Sequence, residues 1–528
     1  MRSFSAAALP FALVLLTSCG GGAPPPPACV NTSTIACTQS GQVRGVIEGN
    51  LRAFRGIPYA APPVGNLRWK PPAQPLSWQG IRDASAFGNV CPQINFQNQL
   101  VGSEDCLVLN VFTSAPPPAS KQPVMVFFHG GGNARGDSQS PPLDSPPLAT
   151  DGVVVVTAEY RVGILGFLAN PLLTAEGNGS SGHYAIMDMI AALAWLKRNI
   201  SNFGGGPNHV MVFGQSAGSF DIQFLLAAPS AKGLFSVAGM ESGSIPLPSN
   251  TTYLVSLAVA EAASGPFVAA VGCSNAADVL ACLRSVPADT IVNNQQQFPF
   301  FALGPAFGDP FLPVDSFTYL QQHGSPVPLL IGNNREESTA YEDNPNAPLT
   351  ASGYATEIHT EFDPNGAGVA NQVLSLYPAT DYDTPEYALI AVHSDYQLSC
   401  EVRNVALAAA GAGRPNVWRY FYTHRYENDS NLNALRAFHT AELWFVFGNL
   451  PTVTGSYVPS AAELTFSSDM MGYWTRFAAT GNPNGGGATP WLPYDAANEN
   501  MLELDETFTP LNGYHIPQCN YLSTLPQP

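Results

Sequence analysis

The chain is expected to fold as an α/β protein with a mainly parallel central sheet covered by helices on both faces. Three observations predict it. Short β-rich apolar runs recur at 123–129, 153–159, 210–213, 327–332 and 417–423, helical patterns separate them, and the runs are apolar at consecutive positions, as in strands buried on both faces. The 528 residues, 45% of them hydrophobic, supply ample core, so disorder of the bulk is excluded.

The first 18 residues form an export signal: Arg2, an apolar stretch at 6–16 too short to span a bilayer, then small residues. Leu16-Thr17-Ser18-Cys19 resembles the bacterial lipobox, which makes Cys19 the expected lipid-bearing N-terminus. A Gly/Pro-rich tether at 19–35 follows, and a single catalytic domain is expected over 36–528. The protein should therefore sit in the cell envelope, lipid-anchored to the outer membrane, with release outside the cell as the alternative. The anchor would be its one membrane contact.

Charge and cysteine content fit that compartment. Lys plus Arg number 21 against 39 Asp plus Glu, a formal charge of −18 with no basic stripe, which argues against nucleic acid as a partner. Nine cysteines less Cys19 leave an even set suited to an oxidising envelope. Proximity suggests Cys29 with Cys37, Cys91 with Cys106 and Cys273 with Cys282, leaving Cys400 for Cys519. No C-x-x-C pair or Cys/His cluster points to a metal, and neither metal nor cofactor is expected.

The helical period is clearest at 186–200, where Ile190, Leu193, Ala194, Leu196 and Ile200 can share a face while Lys197 and Arg198 look outward. The breaker run Phe203-Gly204-Gly205-Gly206-Pro207 ends it.

Chemistry enters at Gly214-Gln215-Ser216-Ala217-Gly218, the one G-x-S-x-G in the chain. An apolar strand precedes it and a helical pattern at 217–228 follows, the strand, sharp turn and helix that lift a serine hydroxyl out of the fold. Upstream, His129-Gly130-Gly131-Gly132 follows another strand, and a glycine run there can aim unobstructed N–H groups at an oxyanion, with Ala217 N–H as a further donor. A serine nucleophile needs a base and an acid, in the chain order Ser, acid, His. Six histidines follow Ser216: His323, His359, His393, His424, His439 and His515. His424 and His439, near the end of a late strand, lead, and Glu336 and Glu337 after the strand at 327–332 are the best acids. Residue pattern alone leaves each pair open.

These residues resemble the type-B carboxylesterase family, the cholinesterase-like branch of the α/β-hydrolase fold, from about Gly41 to Cys519. Phe54-Arg55-Gly56-Ile57-Pro58-Tyr59-Ala60 and Ser103-Glu104-Asp105-Cys106-Leu107-Val108-Leu109-Asn110 match its motifs, as do Tyr160 to Leu168 and Trp474 to Asn484. The resemblance implies Ser216 as nucleophile, Glu337 as acid, His439 as base within Arg436-Ala437-Phe438-His439-Thr440-Ala441-Glu442-Leu443, and Gly131, Gly132 and Ala217 as the oxyanion hole. It implies supporting positions at Gln215 and Glu442, and it supports the Cys91–Cys106 and Cys273–Cys282 bridges. Glu336 and His424 become the runners-up.

Several positions depart from the family pattern. Gln215 stands where Glu is usual, His183 replaces an Asn, Asn133 replaces an aromatic residue after the glycine run, and Ser338 replaces the Gly after the acid. The 91–106 loop carries no Trp for cation–π capture of a quaternary ammonium. The implied activity is hydrolysis of small-molecule carboxylic esters through an acyl-enzyme, by an enzyme that is not a choline-ester specialist. The alternatives are a lipase or polyester hydrolase acting on insoluble esters, and a non-catalytic surface binding protein.

Overall fold

The computed structural model describes residues 30–244, 255–299, 304–340, 343–411 and 416–526. Its centre is a sheet of 11 strands. Six neighbouring strands run parallel in the order Val154–Ala158, Gln122–Phe128, Gly205–Gln215, Val237–Glu241, Leu329–Asn334, Val417–Tyr422, and Asn500–Leu504 adds a seventh beyond them. Antiparallel strands complete both edges: Val108–Ser114, Leu51–Pro58 and Val46–Glu48 on one side, Thr509–Asn512 on the other.

The apolar runs form strands because both faces are buried. Val124, Val126, Phe128, Val154, Val156, Val210, Val212, Leu329 and Ile331 pack into one core, against the helices Tyr184–Asn199, Ala217–Ala227 and Cys400–Ala410. Their odd-numbered or even-numbered neighbours Met125, Phe127, Val155, Met211, Phe213 and Leu330 face the other way, toward the helices Leu443–Phe447 and Ala461–Thr480. Two apolar faces per strand is what a period-two backbone requires of a covered sheet. In the helix Tyr184–Asn199 the buried face centres on Ile186, Met189, Leu193 and Leu196, whereas Ile190 and Ala194 are only half-buried. The chain leaves this helix through a 3-10 turn at Ile200–Phe203, and the following strand begins inside the glycine run at Gly205, with a register irregularity before Val210.

Three disulfides staple loops onto this frame: Cys91–Cys106, Cys273–Cys282 and Cys400–Cys519, the last closing a separation of 119 residues. Cys37 is also disulfide-bonded, while Cys29, Cys19 and the whole leader lie outside the described residues. Disulfides on this scale belong to an oxidising compartment, so the protein is an exported one. No helix among the described residues is long and apolar enough to cross a membrane.

Candidate active site

The strand Gly205–Gln215 ends at the centre of the sheet, and the chain turns through Ser216 into the helix Ala217–Ala227. Ser216 has φ 56° and ψ −125°, a backbone conformation that L residues rarely hold, and its N–H donates to Glu241 C=O at 2.9 Å. Local strain of this kind persists where the surroundings over-determine it. They do so here by close approach. A Cβ on Gly218 would lie 2.1 Å from Phe128 C=O, so only glycine lets the helix start against the end of the neighbouring strand.

That neighbouring strand delivers the glycine run. Gly131 (φ 116°) and Gly132 (φ 62°) adopt backbone angles open to glycine, and a Cβ on Gly130 would sit 2.9 Å from Ser216 Cβ, which places the loop beside the serine. The N–H groups of Gly131, Gly132 and Ala217 donate to no carbonyl among the described residues. Three unused amides next to a hydroxyl-bearing turn can stabilise a developing oxyanion. Gly132 opens onto free space, with no heavy atom within 4 Å of the position a Cβ would take.

Glu337 and His439 come from two other parallel strands. Leu329–Asn334 ends one residue before Arg335, and Glu337 opens the next 3-10 turn. His439 follows Val417–Tyr422 and the short helix Ser430–Leu435. The two segments are tied together by Glu336 N–H to Ala437 C=O at 3.0 Å and by Ala437 N–H to Glu336 Oε2 at 3.2 Å. In that register His439 Nδ1–H donates to Glu337 Oε2 at 2.6 Å, while Glu337 Oε1 accepts from Asn334 N–H, also at 2.6 Å. With the proton on Nδ1, the other ring nitrogen is a lone-pair acceptor. Gln215 Nε2 lies 3.1 Å from it, so the imidazole reaches the residue that precedes Ser216.

Burial alone would strip the proton from His439, but the charge and hydrogen bond of Glu337, with help from Glu442, outweigh it and hold its pKa above the ordinary 6.5. Glu442 is itself pushed up to about 7, by burial first and then by the charge of Glu337, although a hydrogen bond from Asn334 Nδ2 opposes the rise. Beneath them Glu241 is fully buried and held well above the usual carboxylate range by burial and by Glu442, with Trp474 Nε1–H donating to it at 2.6 Å.

The runners-up lie elsewhere. Both nitrogens of His424 meet carboxylates, Nδ1 with Asp505 at 2.7 Å and Nε2 with Glu463 at 3.5 Å. Glu336 binds Arg335 and the backbone of Ala437 and borders a separate cleft with Arg436. His393 sits between Asp343 and Glu361, His515 on Asp395, His359 on Asp363, and His323 stacks on Tyr319. Asn133 and His183 are buried, the former on Asp221 at 3.4 Å and the latter on Asp309 at 2.6 Å. Ser338 hydrogen-bonds Ser394. Residue pattern missed Asn334, Glu241 and Trp474. Each is a buried polar group with a partner remote in sequence, and the local residue pattern gives it no role.

A strained serine at a strand-to-helix turn, with an imidazole on a carboxylate from later strands of a covered parallel sheet, defines the serine-hydrolase class. The chain belongs to the Carboxylesterase family, whose profile matches residues 30–522, and it is a carboxylic-ester hydrolase. It is 35% identical over 509 residues to the para-nitrobenzyl esterase of Bacillus subtilis (strain 168), covering 90% of this chain and 96% of that one. It is 34% identical over 485 residues to the fumonisin B1 esterase of Sphingopyxis macrogoltabida, covering 88% and 85%. A solved PNB esterase superposes with a TM-score of 0.75 at 32% identity, covering 93% of this chain and 100% of that one.

Proposed function

We propose that Ser216, His439 and Glu337 perform the hydrolysis as nucleophile, base and acid. His439 Nε2 takes the proton of Ser216 Oγ as it attacks the ester carbonyl. The N–H groups of Gly131, Gly132 and Ala217 hold the oxyanion, and the imidazolium protonates the departing alcohol. Water then repeats the sequence on the acyl-enzyme, with His439 again the base. Glu337 fixes the tautomer and offsets the charge on the ring. The observation that carries the reading is the position of His439, clamped at 2.6 Å on Glu337 with its other nitrogen against the residue before Ser216.

A fluorophosphonate probe tests it. Wild type should gain one phosphonyl adduct on Ser216 and Ser216→Ala none, with the variant losing ester turnover. Labelling that persists in Ser216→Ala would overturn the assignment.

Small esters with uncharged or anionic alcohols are the proposed substrates. Gln215 contributes no negative charge beside the serine and the 91–106 loop has no Trp, so a quaternary ammonium has little to attract it. We also read residues 1–18 as an export leader, Cys19 as a lipid anchor on a tether to residue 35, and 36–528 as one catalytic domain. That reading rests on the sequence, since most of the leader and tether lie outside the described residues.

A further inference from the structure

Arg135 stands apart among the arginines around the candidate site. The chain is strongly acidic, at a formal −18, and Arg55, Arg68 and Arg161 in the same region are each matched by a carboxylate. Arg135 makes no ion pair among the described residues. Its guanidinium lies 5.5 Å over the ring of Phe96, and Nη1 reaches only Asn95 C=O, at 3.4 Å. The nearest acid along the chain, Asp137, is occupied by Gln139 N–H and by Ser140 N–H and Oγ.

Its position is built, not incidental. Arg135 N–H donates to Gly131 C=O at 3.2 Å, and a Cβ on Gly131 would sit 3.3 Å from Arg135 Cγ, so the side chain starts against a proposed oxyanion glycine. One residue on, Gly136 is clamped from both sides by the buried Gln93, which accepts from its N–H at 2.7 Å and donates to its C=O at 2.8 Å. Gln93 and Phe96 belong to the loop closed by Cys91–Cys106. A cation with no carboxylate partner among the described residues thus reaches from the oxyanion loop to Phe96, which is 66% exposed, and the same loop opens onto free space at Gly132. Guanidinium is the side chain best suited to bind a carboxylate through paired N–H groups.

We infer that Arg135 is a subsite for a carboxylate carried by the ester, so that the enzyme favours esters bearing a second, ionised carboxyl group near the scissile bond. This rests on the ester-hydrolase site proposed above. The carboxylate can belong to the acid half or to the alcohol half, and matched substrates separate the two. Monoethyl adipate against ethyl hexanoate reports on the acid half, and para-carboxyphenyl butyrate against para-tolyl butyrate on the alcohol half. The readout is the ratio of kcat/KM for the charged ester to that for its neutral partner, in wild type, Arg135→Gln and Arg135→Lys. In one pair the ratio should fall about 10- to 100-fold in Arg135→Gln and be largely retained in Arg135→Lys. Ratios unchanged by Arg135→Gln in both pairs would overturn the subsite. Turnover of the neutral esters by wild type separates that failure from a failure of the hydrolase reading, and fluorophosphonate labelling shows that each variant is folded.

Discussion

His424 and His439 are both imidazoles held against carboxylates near the end of one strand, and the difference between them lies in the second nitrogen. At His424 both nitrogens are engaged by acids, Asp505 and Glu463. Glu463 also caps the helix Ala461–Thr480, accepting from Ser460 N–H at 2.7 Å while Ser460 Oγ accepts from Glu463 N–H at 3.0 Å. His424 is therefore a cross-link, driven up to about 9 because two acidic hydrogen bonds outweigh its burial. At His439 only Nδ1 meets an acid, and Nε2 is turned toward the serine turn. The accepting nitrogen of a base is not tied to a second acid, whereas in a cross-link it is.

The largest expected effect separates the two directly. His439→Ala should lower kcat by about 10⁴- to 10⁶-fold, the range for removing a proposed base that acts as a unit with its serine. His424→Gln should leave kcat within about tenfold while lowering stability by roughly 3 kcal/mol, since the buried Glu463 loses its cation. Steady-state kinetics and denaturant unfolding on the same preparations give both numbers. Stability should also depend on pH through His424. A histidine raised by folding stabilises fully below its unfolded pKa of about 6.5 and loses that contribution as pH rises through about 9. Wild-type Tm should thus fall more than that of His424→Gln between pH 7 and pH 9.5. Equal slopes would mean that His424 carries no charge at neutral pH.

Next in size is the glycine loop. A Cβ on Gly131 would lie 2.1 Å from Arg135 C=O, at a φ of 116° where alanine is strained, so Gly131→Ala must displace the loop. Losing one aligned oxyanion donor costs on the order of 10²- to 10³-fold in kcat. Gly132→Ala meets no atom within 4 Å and bears only the backbone strain, so it should cost less than Gly131→Ala. The reverse order would argue that Gly131 does not donate.

The same contrast explains what the sequence made legible. The strands at 123–129, 153–159 and 417–423 could be read because burial on both faces leaves a continuous apolar run. The strand Val237–Glu241 could not, since it carries Gly239 and the buried Glu241, and the edge strands such as Thr509–Asn512 lack such a run. The serine turn announced itself because its glycines are forced by contacts within a few residues or with the adjacent strand. The two histidines looked alike, because what tells them apart lies far along the chain: Asp505 and Glu463 for one, Gln215 and Glu337 for the other. Asn334, which holds Glu337, Glu442 and Phe438 C=O together, has no local signature at all.

The smallest effect sharpens the comparison from the His439 side. His439 is raised above 6.5 first by Glu337 and then by Glu442, and Glu442 is itself raised to about 7 by burial and by the charge of Glu337, so the protonation of each depends on the other. The proposed base works only when neutral, so kcat/KM for a neutral ester should fall on the acid side with a midpoint above pH 6.5. Where Glu442 is ionised its charge favours the imidazolium. Glu442→Gln keeps an acceptor for Asn334 Nδ2 but removes that charge, and the acid limb should move down by about half a pH unit to one unit. A merely structural contribution of Glu442 would lower the plateau and leave the midpoint in place. A limb that stays put in Glu442→Gln but moves down in Glu337→Gln would assign the raised pKa of His439 to Glu337 alone.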